Sequence, residues 1–175
     1  RKCANEGVAV ISGGAKGVDT IAQMTALSSG GTVISVLANS MGKVLKEKEL
    51  RDAIIENKLL IVSPFNPDST FKIYNAMDRN KYIYALSKGA VVVSSDYNKG
   101  GTWNGATENL KNGWVPLYVR NGSNVPQGNR ELIKKGAIPL DENMVYDEER
   151  KLKDILTCNK QEKPEQMSLF RFLEP

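Results

Sequence analysis

The chain has 175 residues, of which 41% are hydrophobic and 25% charged, a composition typical of one globular domain with a sizeable core. Its 24 basic and 20 acidic residues give a net charge of +4, which permits a nucleic-acid partner without requiring one. The absence of histidine excludes His-based acid–base catalysis and histidine metal ligands. Cys3 and Cys158 follow no metal-binding spacing, so we expect reduced thiols in a cytoplasmic protein. We expect neither a metal nor a cofactor.

The two ends of the chain carry separate signals. No apolar run reaches the roughly 18 residues that a membrane span needs, so we expect no membrane contact. Because the sequence begins with Arg1 rather than Met, we expect further sequence upstream. After Cys158 the composition becomes polar, unpatterned and broken by proline, which is typical of a linker. The chain therefore divides into a domain over residues 1–157 and a linker with a terminal peptide over residues 158–175.

Short apolar runs alternate with helical patterns along the domain. In chain order, the apolar runs predict strands at 8–11, 32–37, 59–62, 90–93 and 115–119. The helical patterns cover 1–6, 19–29, 46–57, 75–87, 104–112, 130–135 and 148–156. In the fourth of these helices, the spacing predicts that Met77, Ile83 and Leu86 face inward. The fold class is therefore α/β, Rossmann-like and doubly wound, with a mainly parallel sheet and helices on both faces.

Two glycine-rich turns follow predicted strands and precede predicted helices. The first holds Ser12, Gly13, Gly14, Lys16 and Gly17, and the second holds Lys99, Gly100, Gly101 and Thr102. Glycines let backbone N–H groups approach an anion at a helix N-terminus, and a lysine in the turn adds positive charge. A tight turn without a ligand is the plain alternative for each. We expect Asp19 to cap the helix that follows the first turn. The glycine spacing of the first turn argues against a dinucleotide fingerprint.

Further basic and aromatic residues fall in the segments that follow the strands. The basic ones are Lys43, Lys72, Arg79 and Lys81, and the aromatic ones are Phe65, Phe71, Tyr74, Tyr97 and Trp103. Ligands bind at the carboxyl ends of parallel strands, and aromatic faces beside basic groups suit the stacked bases of a single strand. We expect Tyr74 and Trp103 to be exposed there. Solvated surface charges and core aromatics are the alternative interpretation.

Four segments carry a family resemblance. Residues 12–19 read Ser-Gly-Gly-Ala-Lys-Gly-Val-Asp, which is similar to the Ser-Gly-Gly-Ala-Arg-Gly-Ile-Asp motif of the DprA/Smf DNA-processing family. Residues 79–87 resemble that family's Arg-Asn-Arg-x-Ile-x-x-Leu-Ser segment, and residues 99–102 stand where it has Ser-Gly-Ser. Residues 128–137 resemble its Gly-x-Asn-x-Leu-Ile-x-x-Gly-Ala stretch. The match runs in order from about residue 7 to residue 140, and it places the first strand of the fold upstream of this chain.

The resemblance implies a non-enzymatic protein of DNA recombination and natural transformation that binds and protects single-stranded DNA and loads a RecA-type recombinase. It implies DNA or phosphate contacts at Ser12, Gly13, Gly14, Lys16, Gly17, Arg79, Asn80, Lys81, Lys99, Gly100, Gly101 and Thr102. The chain departs from the family pattern at Gln23, where the family has His, at Lys81 in place of Arg, and at Gly105 in place of a hydroxyl residue. It leaves open whether the chain forms a homodimer.

Two other functions belong to the same superfamily. LOG-type phosphoribohydrolases release a base from a nucleoside monophosphate, and their Gly-Gly-x-Gly-Thr-x-x-Glu motif partly resembles residues 100–108. That resemblance would make Glu108 the catalytic carboxylate, although its spacing is longer than the motif allows. A sensor of a nucleotide-derived ligand at the same turns is the second alternative.

The terminal peptide resembles a sliding-clamp-binding motif. Its residues are Gln166, Met167, Ser168, Leu169 and Phe170, similar to the Gln-Leu-Ser-Leu-Phe peptide of bacterial replication and repair proteins. Leu169 and Phe170 would anchor a short peptide in an apolar pocket of the clamp. The alternative is that these apolar residues fold back on the domain.

Overall fold

The computed structural model describes residues 1–38 and 40–157, and all strand pairs among them are parallel. The first sheet contains β1 (Val10–Ser12), β2 (Val33–Val36) and β3 (Leu59–Val62), in the order β1-β2-β3. The second sheet contains β4 (Ala90–Val92), β5 (Leu117–Asn121) and β6 (Ile138–Asp141), in the order β4-β5-β6. The predicted α/β class and the parallel strand direction are confirmed, but the strands form two three-stranded sheets instead of one.

Helices connect the strands. They are α1 (Lys2–Asn5), α2 (Val18–Ser28), α3 (Met41–Val44), α4 (Lys48–Ile55), α5 (Ile73–Ala85), α6 (Gly100–Asn112), α7 (Gln127–Lys134), α8 (Glu142–Tyr146) and α9 (Leu152–Thr157). The chain passes from the first sheet to the second through α5, which follows β3 and precedes β4. None of these described helices has the length and apolar character to cross a membrane.

The sequence did not predict β6, α3 or α8. Pro139 and Asp141 disfavour a strand in the sequence, because proline cannot donate to a ladder and aspartate is depleted in strands. Since β6 is the last strand in its sheet, only one of its sides needs a partner, and proline is tolerated there. The predicted linker and the clamp-binding peptide at 166–170 lie outside the described residues.

Each sheet has its own apolar core. The larger cluster lies on the second sheet and includes Val92, Trp103, Ala106, Val119 and Leu132. A smaller cluster on the first sheet is built by residues of α2, β2, α4 and β3, namely Ala26, Val33, Ala53 and Leu59. The prediction that Trp103 is exposed is wrong, because only 6% of it is accessible in the larger core. Apolar packing therefore fixes the start of α6, where the second glycine turn lies.

The inward face of α5 differs from the prediction. Met77 is 40% exposed and Leu86 is 54% exposed, so neither faces the core as expected. The helix instead buries Asn75, Arg79 and Tyr84. Apolar spacing misidentified this face because polar side chains of α5 turn inward to meet the loops at the ends of the sheets.

Asn129 joins three segments at the end of the second sheet. Its side chain is fully buried, accepts a hydrogen bond from the Ser95 N–H at 2.8 Å, and donates to the carbonyls of Val93 and Arg120. The loop after β4 is also held by Gly128, where a Cβ would overlap the backbone of Ser95 and Asp96. These contacts fix the loop that leads into the second glycine turn.

We expect Asn129→Ala to lower the free energy of unfolding by about 3 kcal/mol, because it leaves a buried N–H and two carbonyls without partners. Urea unfolding of Asn129→Ala beside Asn124→Ala, an exposed asparagine between β5 and α7, measures this. Equal unfolding midpoints for the two variants would contradict the structural role of Asn129.

Candidate nucleic-acid interface

The first glycine turn joins β1 to α2 and is organised by Asp19. The Asp19 carboxylate accepts hydrogen bonds from the N–H groups of Gly13, at 3.0 Å, and Ala15, at 3.4 Å. Asp19 therefore binds amides of the turn itself. The expectation that it caps α2 is wrong. Gly17 stands at the helix N-cap with φ 99°, a conformation that favours glycine, and makes no side-chain capping bond. The N-terminus of α2 thus remains open to an anion.

Ser12 closes the inner side of this turn. Its hydroxyl is buried and accepts a hydrogen bond from the Gln23 side-chain amide at 2.8 Å. The same amide nitrogen donates to the Ser35 hydroxyl at 3.1 Å. Gln23, which replaces the family's His, thereby ties the end of β1 to β2 with both of its amide hydrogens.

The second glycine turn joins β4 to α6. Lys99 is the N-cap residue of α6 without a side-chain capping bond, and Gly100 has φ 79°. The predicted residues Lys99, Gly100, Gly101 and Thr102 are all exposed, as is Lys16 in the first turn. The turn borders an open pocket of about 330 Å³ lined by Asp96, Tyr97, Lys99, Pro126 and Gln127. Two open helix N-termini, each with an exposed lysine, therefore stand at strand ends.

Consecutive residues of α5 contact the two glycine turns. Arg79 is 5% exposed, its guanidinium donates a hydrogen bond to the Val36 carbonyl, and a Cβ at Gly13 would overlap this guanidinium. The next residue, Asn80, donates its side-chain amide to the Gly101 carbonyl at 3.1 Å. One helix thus connects a turn at the end of the first sheet with a turn at the end of the second.

Gly105 lets α5 and α6 approach each other. A Cβ at this position would lie 3.2 Å from the Asn80 amide nitrogen and 3.3 Å from the Tyr84 ring, closer than most real contacts. The departure from the family's hydroxyl residue at Gly105 is therefore accommodated by close helix packing. Burial raises the pKa of Tyr84 to about 12, and the Glu108 carboxylate acts in the same direction.

The basic residues of this edge differ in their surroundings. Burial lowers the pKa of Arg79, while the Asp19 carboxylate acts in the opposite direction. Lys81 pairs with Asp78, and its hydrogen bond to that carboxylate raises the pKa of Lys81. The Lys72 ammonium lies 5.6 Å from the centre of the Tyr74 ring, and a hydrogen bond to Tyr74 raises the Lys72 pKa.

The aromatic side chains divide into two groups. Tyr74 is 63% exposed, as predicted, and Phe71 is 57% exposed beside it at the start of α5. Tyr97 meets Trp103 edge-on, with ring centres 5.1 Å apart, where Trp103 belongs to the core. Tyr74 and Phe71 are thus available to a ligand at this end of α5.

Glu108, the alternative catalytic carboxylate, is exposed on α6. Its charge acts on Lys81 and Tyr84, so it lies on the α5 side of that helix. Within the described residues, no three His, Cys, Asp or Glu side chains are grouped as a metal site would require.

Sequence reasoning missed how these residues are joined. The contacts of Asp19, Gln23 and Asn129 with loops and strands give no periodic signal, because each is a single polar side chain at one point of the fold. Two sequence signals pointed to these positions: the composition of the first glycine turn, which precedes Asp19, and the family segment at residues 128–137, which begins with Gly128 and Asn129.

Comparison with known proteins identifies the family. A family model described as DNA recombination-mediator protein A matches residues 1–149. The chain belongs to this family. The resemblance in the four segments is confirmed, whereas the clamp-binding peptide lies beyond the matched residues and stays a prediction.

Two curated relatives of this family match the chain. It is 33% identical over 144 residues to Protein Smf of Escherichia coli strain K12, covering 79% of this chain and 38% of that protein. It is 30% identical over 133 residues to DNA processing protein DprA of Streptococcus pneumoniae R6, covering 73% of this chain and 46% of that protein. The chain thus spans less than half the length of these curated relatives.

Two solved structures share the fold. The X-ray structure of DprA from Streptococcus pneumoniae matches with a TM-score of 0.64 at 24% identity, over 79% of this chain and 50% of that one. A Helicobacter pylori DNA processing protein A structure, described for its single-stranded DNA binding mode, also gives 0.64, at 29% identity over 80% of this chain and 64% of that one. The Rossmann-like expectation is thereby confirmed.

Proposed function

We propose that this chain, a member of a DNA-processing family, binds single-stranded DNA along the edge formed by its two glycine turns. The observation that carries the proposal is the contact of Arg79 with Gly13 and of Asn80 with Gly101, which joins both turns through one helix. A strand of DNA is a chain of evenly spaced anions, so two linked anion sites suit it better than one. The Helicobacter pylori relative, described as binding single-stranded DNA, supports the same ligand class.

Phosphates are held by backbone and lysine together in this proposal. At each turn, the helix N-terminus has no side-chain capping bond, and an exposed lysine, Lys16 or Lys99, adds a full charge. Lys81 on α5 adds a third, partly compensated charge, since it pairs with Asp78. Contacts of this kind recognise the backbone and not the base, so binding is insensitive to sequence.

The bases stack on aromatic side chains at the start of α5. Tyr74 and Phe71 are more than half exposed, and Lys72 lies against the Tyr74 ring. An exposed ring beside a cation can take a base on its face while the cation meets the adjoining phosphate.

Several finer roles belong to the same proposal. The family resemblance suggests protection of single strands, loading of a RecA-type recombinase, homodimer formation and a cytoplasmic location. The peptide at 166–170 suggests docking on the sliding clamp. The phosphoribohydrolase alternative through Glu108 stays a prediction that release of adenine from AMP would test.

We expect Lys16→Ala and Lys99→Ala each to weaken binding to an oligo-dT about tenfold at low salt, because each loses one phosphate contact. The slope of log affinity against log salt should fall by about 0.7 in each variant. Fluorescence anisotropy across salt concentrations measures both quantities.

The matched control is Lys88→Ala, an exposed lysine between α5 and β4, at the opposite edge of the sheets. Its affinity and slope should equal those of the wild type. Tight binding that is indifferent to Lys16 and Lys99, or equally sensitive to Lys88, would refute the site.

We expect Tyr74→Ala to weaken oligo-dT binding about tenfold without changing the salt slope, because stacking involves no counterion release. An abasic oligonucleotide of equal length should bind wild type and variant equally. If Tyr74→Ala weakens the abasic strand as much as oligo-dT, the ring does not contact bases.

A further inference from the structure

Arg79 holds the first glycine turn from inside the domain. The residue is 5% exposed, and its guanidinium occupies the space that a side chain at Gly13 would need. It also donates to the carbonyl of Val36, the last residue of β2. Arg79 therefore joins α5 to the ends of β1 and β2, and Gly13 lacks a side chain where this guanidinium packs.

The charge of Arg79 is balanced within the protein. Asp19, which accepts the N–H groups of Gly13 and Ala15, lies close enough to stabilise the guanidinium charge. Both the Asp19 carboxylate and the Arg79 guanidinium therefore lie next to Gly13, and their charges are of opposite sign. Lys16 in the same turn is exposed, and it belongs to none of the ion pairs found among the described residues.

The fold retains this cation although it leaves a buried polar atom unpaired. The Arg79 Nε is inaccessible and has no hydrogen-bond partner. An apolar side chain of similar volume would fill the same space without a desolvation cost. An apolar side chain would lack the planar guanidinium group, which donates a hydrogen bond to the Val36 carbonyl and packs against Gly13.

We propose that Arg79 is a positioning residue that fixes the shape of the first glycine turn, and that Lys16 supplies the charge that meets DNA there. This inference rests on the proposed function, because it concerns the same edge. In this role Arg79 makes no direct phosphate contact, unlike the role that the family resemblance suggested. Arg79 instead holds the exposed amides of the turn in a fixed orientation toward the DNA strand. The first turn then contributes one lysine charge to the salt dependence of binding.

Four variants decide between the two roles of Arg79 in oligo-dT titrations across salt concentrations. We expect Arg79→Gln and Arg79→Lys to weaken binding to the same extent, about tenfold, because both lose the planar guanidinium group. The salt slope of both variants should equal that of the wild type, because neither loses a phosphate contact. Lys16→Gln should lower the slope by about 0.7, whereas Lys16→Arg, which keeps a positive charge at that position, should not lower the slope. Wild-type binding by Arg79→Lys, or a slope lowered by about 0.7 in Arg79→Gln, would overturn the proposal.

A measurement without DNA separates this proposal from the proposed function. If the wild-type chain does not bind oligo-dT, the proposed function fails, and urea unfolding then decides the role of Arg79. Both Arg79 variants should unfold at lower urea concentrations than both Lys16 variants, and equal midpoints would overturn the positioning role. If the Arg79 variants do not fold, Gly13→Ala replaces them in the oligo-dT titrations. Its Cβ displaces the Arg79 guanidinium, while the charge of Arg79 is retained. Weaker binding with an unchanged slope supports the proposal, and wild-type affinity overturns it.

Discussion

Two neighbouring residues of α5, Arg79 and Asn80, hold both glycine turns in place. The two sheets share no strand ladder among the described residues, so their relative placement relies on helix packing. Arg79 and Asn80 are neighbours in the chain, and a helix places successive side chains about 100° apart. One can therefore reach Gly13 while the other reaches Gly101. A single turn of helix sets the geometry of the whole edge.

Parallel strands explain why the site lies at this edge. The strands of a parallel sheet end on the same side, and the segments that lead into the following helices lie there. At two of these points the loop is rich in glycine, uncapped by side chains and accompanied by an exposed lysine. The internal carboxylate of Asp19 already satisfies two amides of the first turn, so a DNA phosphate would meet the remaining amides of the α2 N-terminus. The turn is thus partly preorganised by the protein's own anion.

The sequence predicted most of the strands but less of the site. The β-branched and aliphatic runs at β2, β3, β4 and β5 are long enough to be recognised, whereas Pro139 concealed β6. Glycine spacing located both turns, because positive φ angles at Gly17 and Gly100 require that residue type. The inward turn of Arg79 and the burial of Trp103 could not be predicted, since each depends on partners that are distant in sequence. Met77 and Leu86 show the converse, apolar residues left on the surface because polar contacts orient the helix.

Hydrogen exchange of the backbone amides with and without oligo-dT reports on both glycine turns in one experiment. If both turns belong to one binding edge, DNA slows exchange at residues 13–18 and at residues 100–103 together, with half-maximal protection at the same DNA concentration. Protection of only one turn, or protection concentrated at the opposite edge around Lys88 and Lys135, would contradict a single binding edge coupled through α5.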